Sequence, residues 1–269
     1  MSDWLAGRPV DWPAALTPAL VQGAGVFRTL LVWNGAIVDA EDQYAVLCHD
    51  ALRLGFEMPP LARWMDDSQG ALKGATTAAL RWWLAGDALR WVSARPLPDR
   101  PLACWTRGIH AAVSPVRLSA PVELAGIKHL NRLAHVLAGR QWAAGQHEAL
   151  MCDDQGYMVC GTRSNLFWVE GGALHTPPLD RVGVNGLMHR KITAAAATLG
   201  LTLVQQRVTP QDLLHAEEMF VTNSLIGLWP VRAMDAWRAT TVPGPVTRQL
   251  AAQLAHPFAA RVLEGECAA

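Results

Sequence analysis

The sequence predicts an α+β protein of two lobes, and three features carry that reading. Period-two apolar segments alternate with segments of helical spacing along the whole chain. Asn34-Gly35 sits between two such strand-like runs, and that dipeptide favours a tight hairpin turn. A long apolar stretch from Glu148 to Pro178 is punctuated by Asp154-Gln155-Gly156 and Gly171-Gly172, which predicts four strands in meander.

Taken in order, GVFRTLLVWNGAIVD (Gly25 to Asp39) gives two strands. EDQYAVLCHDALRLGF follows with apolar Tyr44, Leu47, Ala51 and Leu54 at helical spacing, acids at its start and Gly55 at its end. Trp64 to Leu84 is expected to form one or two helices broken near Gly70. ALRWVSARP reads as a strand, RPLPDRP as a loop, and GIHAAVSPVRL as a strand segment ending near Leu118. Leu133, Val136, Leu137 and Trp142 describe an amphipathic helix over Asn131 to Ala144. Beyond the meander, GLMHRKITAAAATLG reads as a helix ending at Gly200. LTLVQQRV and EMFVTNSL read as strands around a short helix at Asp212 to Ala216, and Val246 to Leu263 as helical. The expected division is a smaller lobe over 1–118, a linker over 119–126, and a larger lobe over 127–269.

The chain has 269 residues, enough for one large domain or two smaller ones. Hydrophobic residues make up 51% and charged ones 17%, the balance of a globular chain. With 23 basic and 23 acidic residues, no field favours nucleic acid or an anionic membrane. No apolar run reaches the ~18 residues of a membrane span, and the N-terminal stretch lacks the pattern of a signal peptide. A cytoplasmic protein is expected. The five cysteines have no CxxC spacing and the nine histidines no paired-ligand pattern, so no metal is expected.

Three loop-like segments carry residues of chemical interest. Lys128 precedes HLNRL; Val184-Asn185-Gly186 opens a helix whose first N–H groups form a ready anion site; Thr222 to Leu225 ends a strand in hydroxyl and amide groups. A lysine with two donor-rich loops suits a phosphorylated aldehyde, with the amine as nucleophile. Singly, each has a plainer explanation: a solvated lysine, a helix cap, a loop.

GIKHLNRL, EALMCDDQGYMVCGTRSNLFW, LHTPPLDRVGVNGLMHRK and AEEMFVTNSLIGLWPV together resemble the class IV aminotransferase-like family of pyridoxal phosphate (PLP) enzymes. Within it, VSPVRL and LAGIKHLNRL look most like 4-amino-4-deoxychorismate lyases. The resemblance implies a two-domain, fold-type IV architecture like that of D-amino-acid aminotransferases, with PLP between the domains, and a homodimer. It implies that Lys128 is the Schiff-base lysine, and that Val184, Asn185, Gly186, Asn223, Ser224 and Leu225 contact the phosphate. Thr29 matches a substrate-side position. The implied reaction eliminates pyruvate from aminodeoxychorismate, a small-molecule substrate, and leaves 4-aminobenzoate, a folate precursor. The alternatives are a divergent member that acts without PLP on a chorismate-like acid, and an aminotransferase.

The chain departs from that pattern at three places. Cys160 stands where the family has the glutamate that pairs with the pyridine nitrogen, and a thiol titrating near ~8.5 supplies no charge at neutral pH. Val46 stands where the family has a phosphate arginine, with His49 and Arg53 as neighbours on the same helix. The loop that meets substrate carboxylates is shortened to SARPLPDRP, which makes Arg95 or Arg100 the substitute. The missing glutamate favours the lyase over an aminotransferase, because elimination toward an aromatic ring has its own driving force. The tryptophans Trp82, Trp83, Trp91 and Trp105 are expected in the core and at subunit seams.

Overall fold

The computed structural model describes residues 3–5, 8–10, 19, 21–86 and 89–266. By its contacts the chain divides into two compact units. One comprises Met1–Leu97 with Lys128–Asn131, and the other Pro98–Ile127 with Arg132–Ala269. The first break thus falls at Leu97, not near Leu118. The strand Ile109–Val113 is hydrogen-bonded into the second unit's sheet, which is why its neighbourhood groups there.

In the first unit, β1 (Asp3–Leu5) and β2 (Arg8–Val10) pair antiparallel. A four-stranded sheet has the order β4-β3-β5-β6, from β3 (Gly25–Trp33), β4 (Ala36–Ile37), β5 (Ala78–Ala85) and β6 (Arg90–Arg95). Asn34 and Gly35 both take positive φ, 51° and 80°, which is the turn the Asn-Gly pair predicts. Two helices follow β4, α1 (Ala40–Arg53) and α2 (Leu61–Leu72). Val26, Leu30 and Val32 of β3 and Leu80, Trp82 and Leu84 of β5 are all buried, with Leu47 and Ala51 of α1 and Trp64 of α2. The Trp64 and Trp82 rings lie 5.5 Å apart.

Two expectations are corrected here. The helix beginning near Trp64 runs through Gly70 to Leu72, and Ala78–Ala85 is a central strand instead of a second helix. Ala78, Leu80, Trp82 and Leu84 are buried at every second position, so pairing on both edges selected period two in a stretch rich in aromatic residues.

The second unit holds α3 (Ala103–Thr106), β7 (Ile109–Val113), α4 (Leu133–Gly139) and the meander β8 (Glu148–Cys152), β9 (Met158–Gly161), β10 (Asn165–Glu170) and β11 (Ala173–Thr176). After the meander come α5 (Leu187–Thr198), β12 (Leu203–Gln205), β13 (Glu218–Asn223), β14 (Gly227–Met234), β15 (Trp237–Arg238) and α6 (Pro245–Gln253). The sheet order is β12-β11-β10-β13-β14-β7-β8-β9, and β9 also pairs with β10. Strands β10, β13, β14, β7, β8 and β9 therefore close into a ring. Its strands read as continuous apolar runs because both faces are buried. Strand β14 carries Pro230 and was not expected from the sequence; its ladder with β7 begins only at Val231 and contains a bulge.

Two helical expectations and one strand also shift. Helix α4 spans Leu133–Gly139 only, and its apolar side chains face outward: Leu133 is 70% exposed, Val136 46% and Leu137 42%. The C-terminal helix stops at Gln253, and a 3-10 stretch over Ala260–Glu266 follows. Strand β12 covers only Leu203–Gln205 of LTLVQQRV. Among the described residues no helix is long and apolar enough to cross a membrane.

Candidate functional site

In the first unit, the chemistry gathers around Lys128. Residues 128–130 run beside β3: Phe27 N–H donates to Lys128 O at 3.0 Å, Leu130 N–H donates to Gly25 O at 2.9 Å, and Val26 bridges His129. Gly25 permits this approach, since a Cβ there would lie 2.6 Å from Leu84 O and 2.7 Å from a Leu130 methyl. The Lys128 side chain is half-buried, with Nζ 4.6 Å from the centroid of the Phe27 ring. Phe27 stacks on Trp83 at 5.2 Å and Trp83 on Trp91 at 4.6 Å, an aromatic ladder across β3, β5 and β6. Strand alternation puts Thr29 on the same face as Phe27, and the registers Thr29↔Arg81 and Ala79↔Arg95 carry that face outward. Arg95 is exposed, and its Nη1 donates to Ala94 O.

The opposite face of β3 holds a feature the sequence reading missed. Arg28 and Asp50 are 2% and 1% exposed and form an ion pair. Arg28 Nη2 also donates to Val46 O at 3.2 Å. The place on α1 where a family arginine was expected is thus reached by a guanidinium from the neighbouring strand. Of its neighbours on α1, His49 is 53% exposed with its Nδ1 3.5 Å from Asp50 Oδ1, and Arg53 is exposed. A sequence signal existed. In GVFRTLLVW, period two places Arg28 on the same face as Val26, Leu30 and Val32, and a charge on a core face demands a partner.

In the second unit, Val184-Asn185-Gly186 leads into α5. Gly126, two residues before Lys128 in the chain, bridges Val184; Asn185 N–H donates to Gly126 O at 2.9 Å. Asn165 Nδ2 donates to Val184 O at 2.7 Å, and a Cβ on Gly186 would lie 2.7 Å from Asn165 Oδ1. No side chain caps α5, so its first-turn N–H groups are open donors at the positive end of the helix. Asn185 Oδ1 is buried with no hydrogen-bond partner. In the second loop, Asn223 Oδ1 accepts from Leu225 N–H at 2.9 Å and Ile226 N–H at 3.1 Å, and its Nδ2 donates to Arg163 O. The Leu225 amide is therefore engaged within its own loop. Ser224 O accepts from His256 Nε2 at 3.1 Å.

Cys160 is buried in an apolar cluster with Leu118, Ala138, Met151, Val159 and Val182. Nearby Arg132 is half-buried; burial pushes its guanidinium down to about 10, and the charge interaction with Cys160 pulls the other way. Arg100 is half-buried too, with its guanidinium 4.6 Å over Trp229. Desolvation, then the neighbouring Arg163, lowers its pKa, while Cys104 and Glu148 raise it. Glu148 itself was not expected from the sequence. It is buried and accepts from Ala149 N–H (3.0 Å), Thr162 N–H (2.9 Å), Thr162 Oγ1 (2.5 Å) and Ser164 Oγ (2.7 Å).

Fold and sequence agree on the class. The family model for amino-transferase class IV matches residues 25–234, and the chain belongs to that family of PLP enzymes, with its two-domain, fold-type IV architecture. An aminodeoxychorismate lyase of Vibrio harveyi is 35% identical over 144 residues, 52% of this chain and 52% of that protein. A putative branched-chain-amino-acid aminotransferase of Methanocaldococcus jannaschii is 37% identical over 130 residues, 48% of this chain and 45% of that one. The chain thus matches about half the length of these curated relatives. Among solved structures, the 4-amino-4-deoxychorismate lyase from Pseudomonas aeruginosa superposes with a TM-score of 0.80 at 32% identity, over 93% of this chain and 97% of that chain. An Escherichia coli branched-chain aminotransferase shares the fold, with a TM-score of 0.74 at 23% identity over 93% and 92%.

PLP asks for an amine, an anion cradle and a partner for its ring nitrogen. In the second unit, the uncapped start of α5 offers N–H donors of the kind a phosphate takes; in the first, Lys128 offers an amine. Cys160, in its apolar cluster, offers the ring nitrogen no carboxylate.

Proposed function

We propose that the chain is an aminodeoxychorismate lyase-like, carbon–oxygen lyase of this family, releasing pyruvate from a cyclic amino acid and leaving 4-aminobenzoate. The observation that carries this is the likeness to the Pseudomonas aeruginosa lyase over nearly the whole chain. Lys128 would hold PLP covalently, and the Val184–Gly186 loop with the first turn of α5 would hold its phosphate. Asn223 and Ser224 lie in the second phosphate loop, with Asn223 ordering it from within. When bound, the cofactor would supply an electron-withdrawing aldehyde carbon to the substrate's amine. Lys128 Nζ would take the proton from the ring carbon next to that nitrogen and return one to the departing enolpyruvyl group. Thr29, Arg95 and Arg100 are the candidates for meeting the substrate, the arginines through its carboxylates. A cytoplasmic homodimer is part of the proposal, and the outward apolar side chains of α4 support an interface between copies.

The Cys160 corner favours a second reading, a relative that acts on a chorismate-like acid without PLP. One experiment separates the two. Incubation with PLP and then borohydride is expected to leave a pyridoxyl group on Lys128, absent in Lys128→Ala, alongside pyruvate release from aminodeoxychorismate. Pyruvate release without any adduct supports the second reading. Transfer of an amino group to a keto acid refutes both and leaves an aminotransferase.

A further inference from the structure

We propose that Asp50 is the residue that positions Lys128, an inference that rests on reading Lys128 as the reacting amine. Both backbone polar groups of Lys128 are held. Its carbonyl accepts from Phe27 N–H on β3, and its N–H donates to Asp50 Oδ2 on α1 at 2.9 Å. The same Asp50 oxygen accepts from Arg28 Nη2, which also reaches Val46 O. One buried guanidinium–carboxylate pair thereby joins strand, helix and lysine segment. With the peptide fixed on both sides, the Cα–Cβ direction of Lys128 is fixed, and Nζ is delivered over the Phe27 ring.

The pair's own stability does not explain its presence. Two charges that are 2% and 1% exposed lose their hydration, and two apolar side chains of similar volume often serve a fold as well or better. An apolar side chain at position 50 would offer no acceptor to the Lys128 N–H. That acceptor is the function the structure assigns to Asp50.

Two double variants isolate it. Arg28→Met with Asp50→Asn removes both buried charges and keeps an acceptor oxygen; Arg28→Met with Asp50→Leu removes the acceptor as well. Each is treated with PLP, whose aldehyde carbon gains the Lys128 Nζ with loss of water, and borohydride then fixes the C–N bond by hydride reduction. The readouts are the rate of pyridoxyl labelling at Lys128, the rate of reductive methylation there by formaldehyde, and the melting temperature. The expected result is labelling by PLP near the native rate for the Asn form and about tenfold slower for the Leu form. Melting temperature and methylation should be similar in both, since a small aldehyde needs an accessible amine and not an aimed one. Equal PLP labelling in the two forms overturns the proposal. Should either double variant fail to fold, hydrogen exchange at the Lys128 amide of the native protein decides: strong protection is expected, and exchange at the rate of an open loop overturns it. A native chain with no pyridoxyl adduct defeats the proposed function instead, and the exchange measurement still tests whether Asp50 holds the lysine.

Discussion

Lowering the pH from about 7.5 to about 5 is expected to remove ~2 kcal/mol of stability through His189 alone. His189 lies in the first turn of α5, 6% exposed, with its ring 5.0 Å from that of Phe167. Its Nε2 is 3.2 Å from Thr176 Oγ1, and that hydroxyl donates to Leu166 O at 2.9 Å. The hydroxyl proton is thus committed, and Nε2–H must donate. Burial, then the charge of Arg190, lowers the pKa from 6.5 to about 4. The sign follows. Below 6.5 the unfolded chain takes up a proton that the folded chain refuses, so stability is present above 6.5 and is lost as pH falls toward 4. The full loss, reached below about 4, is ~3 kcal/mol at ~1.4 kcal/mol per pH unit. Urea unfolding of the native chain and of His189→Gln at both pH values is the assay. Glutamine keeps a donor toward Thr176 and does not titrate, so other groups cancel in the comparison. The native chain should lose ~2 kcal/mol more than the variant on acidification. An equal loss in both would refute the account of a buried neutral histidine.

Two further outcomes are expected. Glu148→Ala should destabilise by about 3–5 kcal/mol in denaturant unfolding, because the amide and hydroxyl of Thr162 lose a buried acceptor, and Glu148→Gln should cost distinctly less. Leu133→Glu combined with Leu137→Glu should leave the melting temperature nearly unchanged, since both side chains are already exposed, and shift the sedimenting mass from dimer to monomer. An unshifted dimer would place the interface elsewhere.

Much of the fold was legible. The Asn34-Gly35 turn, helix α1, the four-strand meander and helix α5 all follow from periodicity and turn residues, which act within a few positions of one another. The Val184–Gly186 segment was legible as a helix start, because the residues that open a helix form a local pattern. Strand β5 was not, since Trp64 to Leu84 holds enough apolar residues to satisfy either period, and only pairing with β3 and β6 resolves it. Helix α4 misled for the converse reason: a stripe at helical spacing states that a face is apolar, never what covers it.

By itself, the sequence determined the class of fold and the family. Tertiary structure alone decided that Arg28 on β3 and Asp50 on α1, separated by a hairpin and most of a helix, share one buried site and that the backbone of Lys128 closes it. It alone put Cys160 in an apolar cluster within reach of the charge of Arg132. The physical reason is common to both. A buried charge is set by whatever surrounds it in space, and neighbours brought together by strand pairing leave no mark on the spacing of residues along the chain.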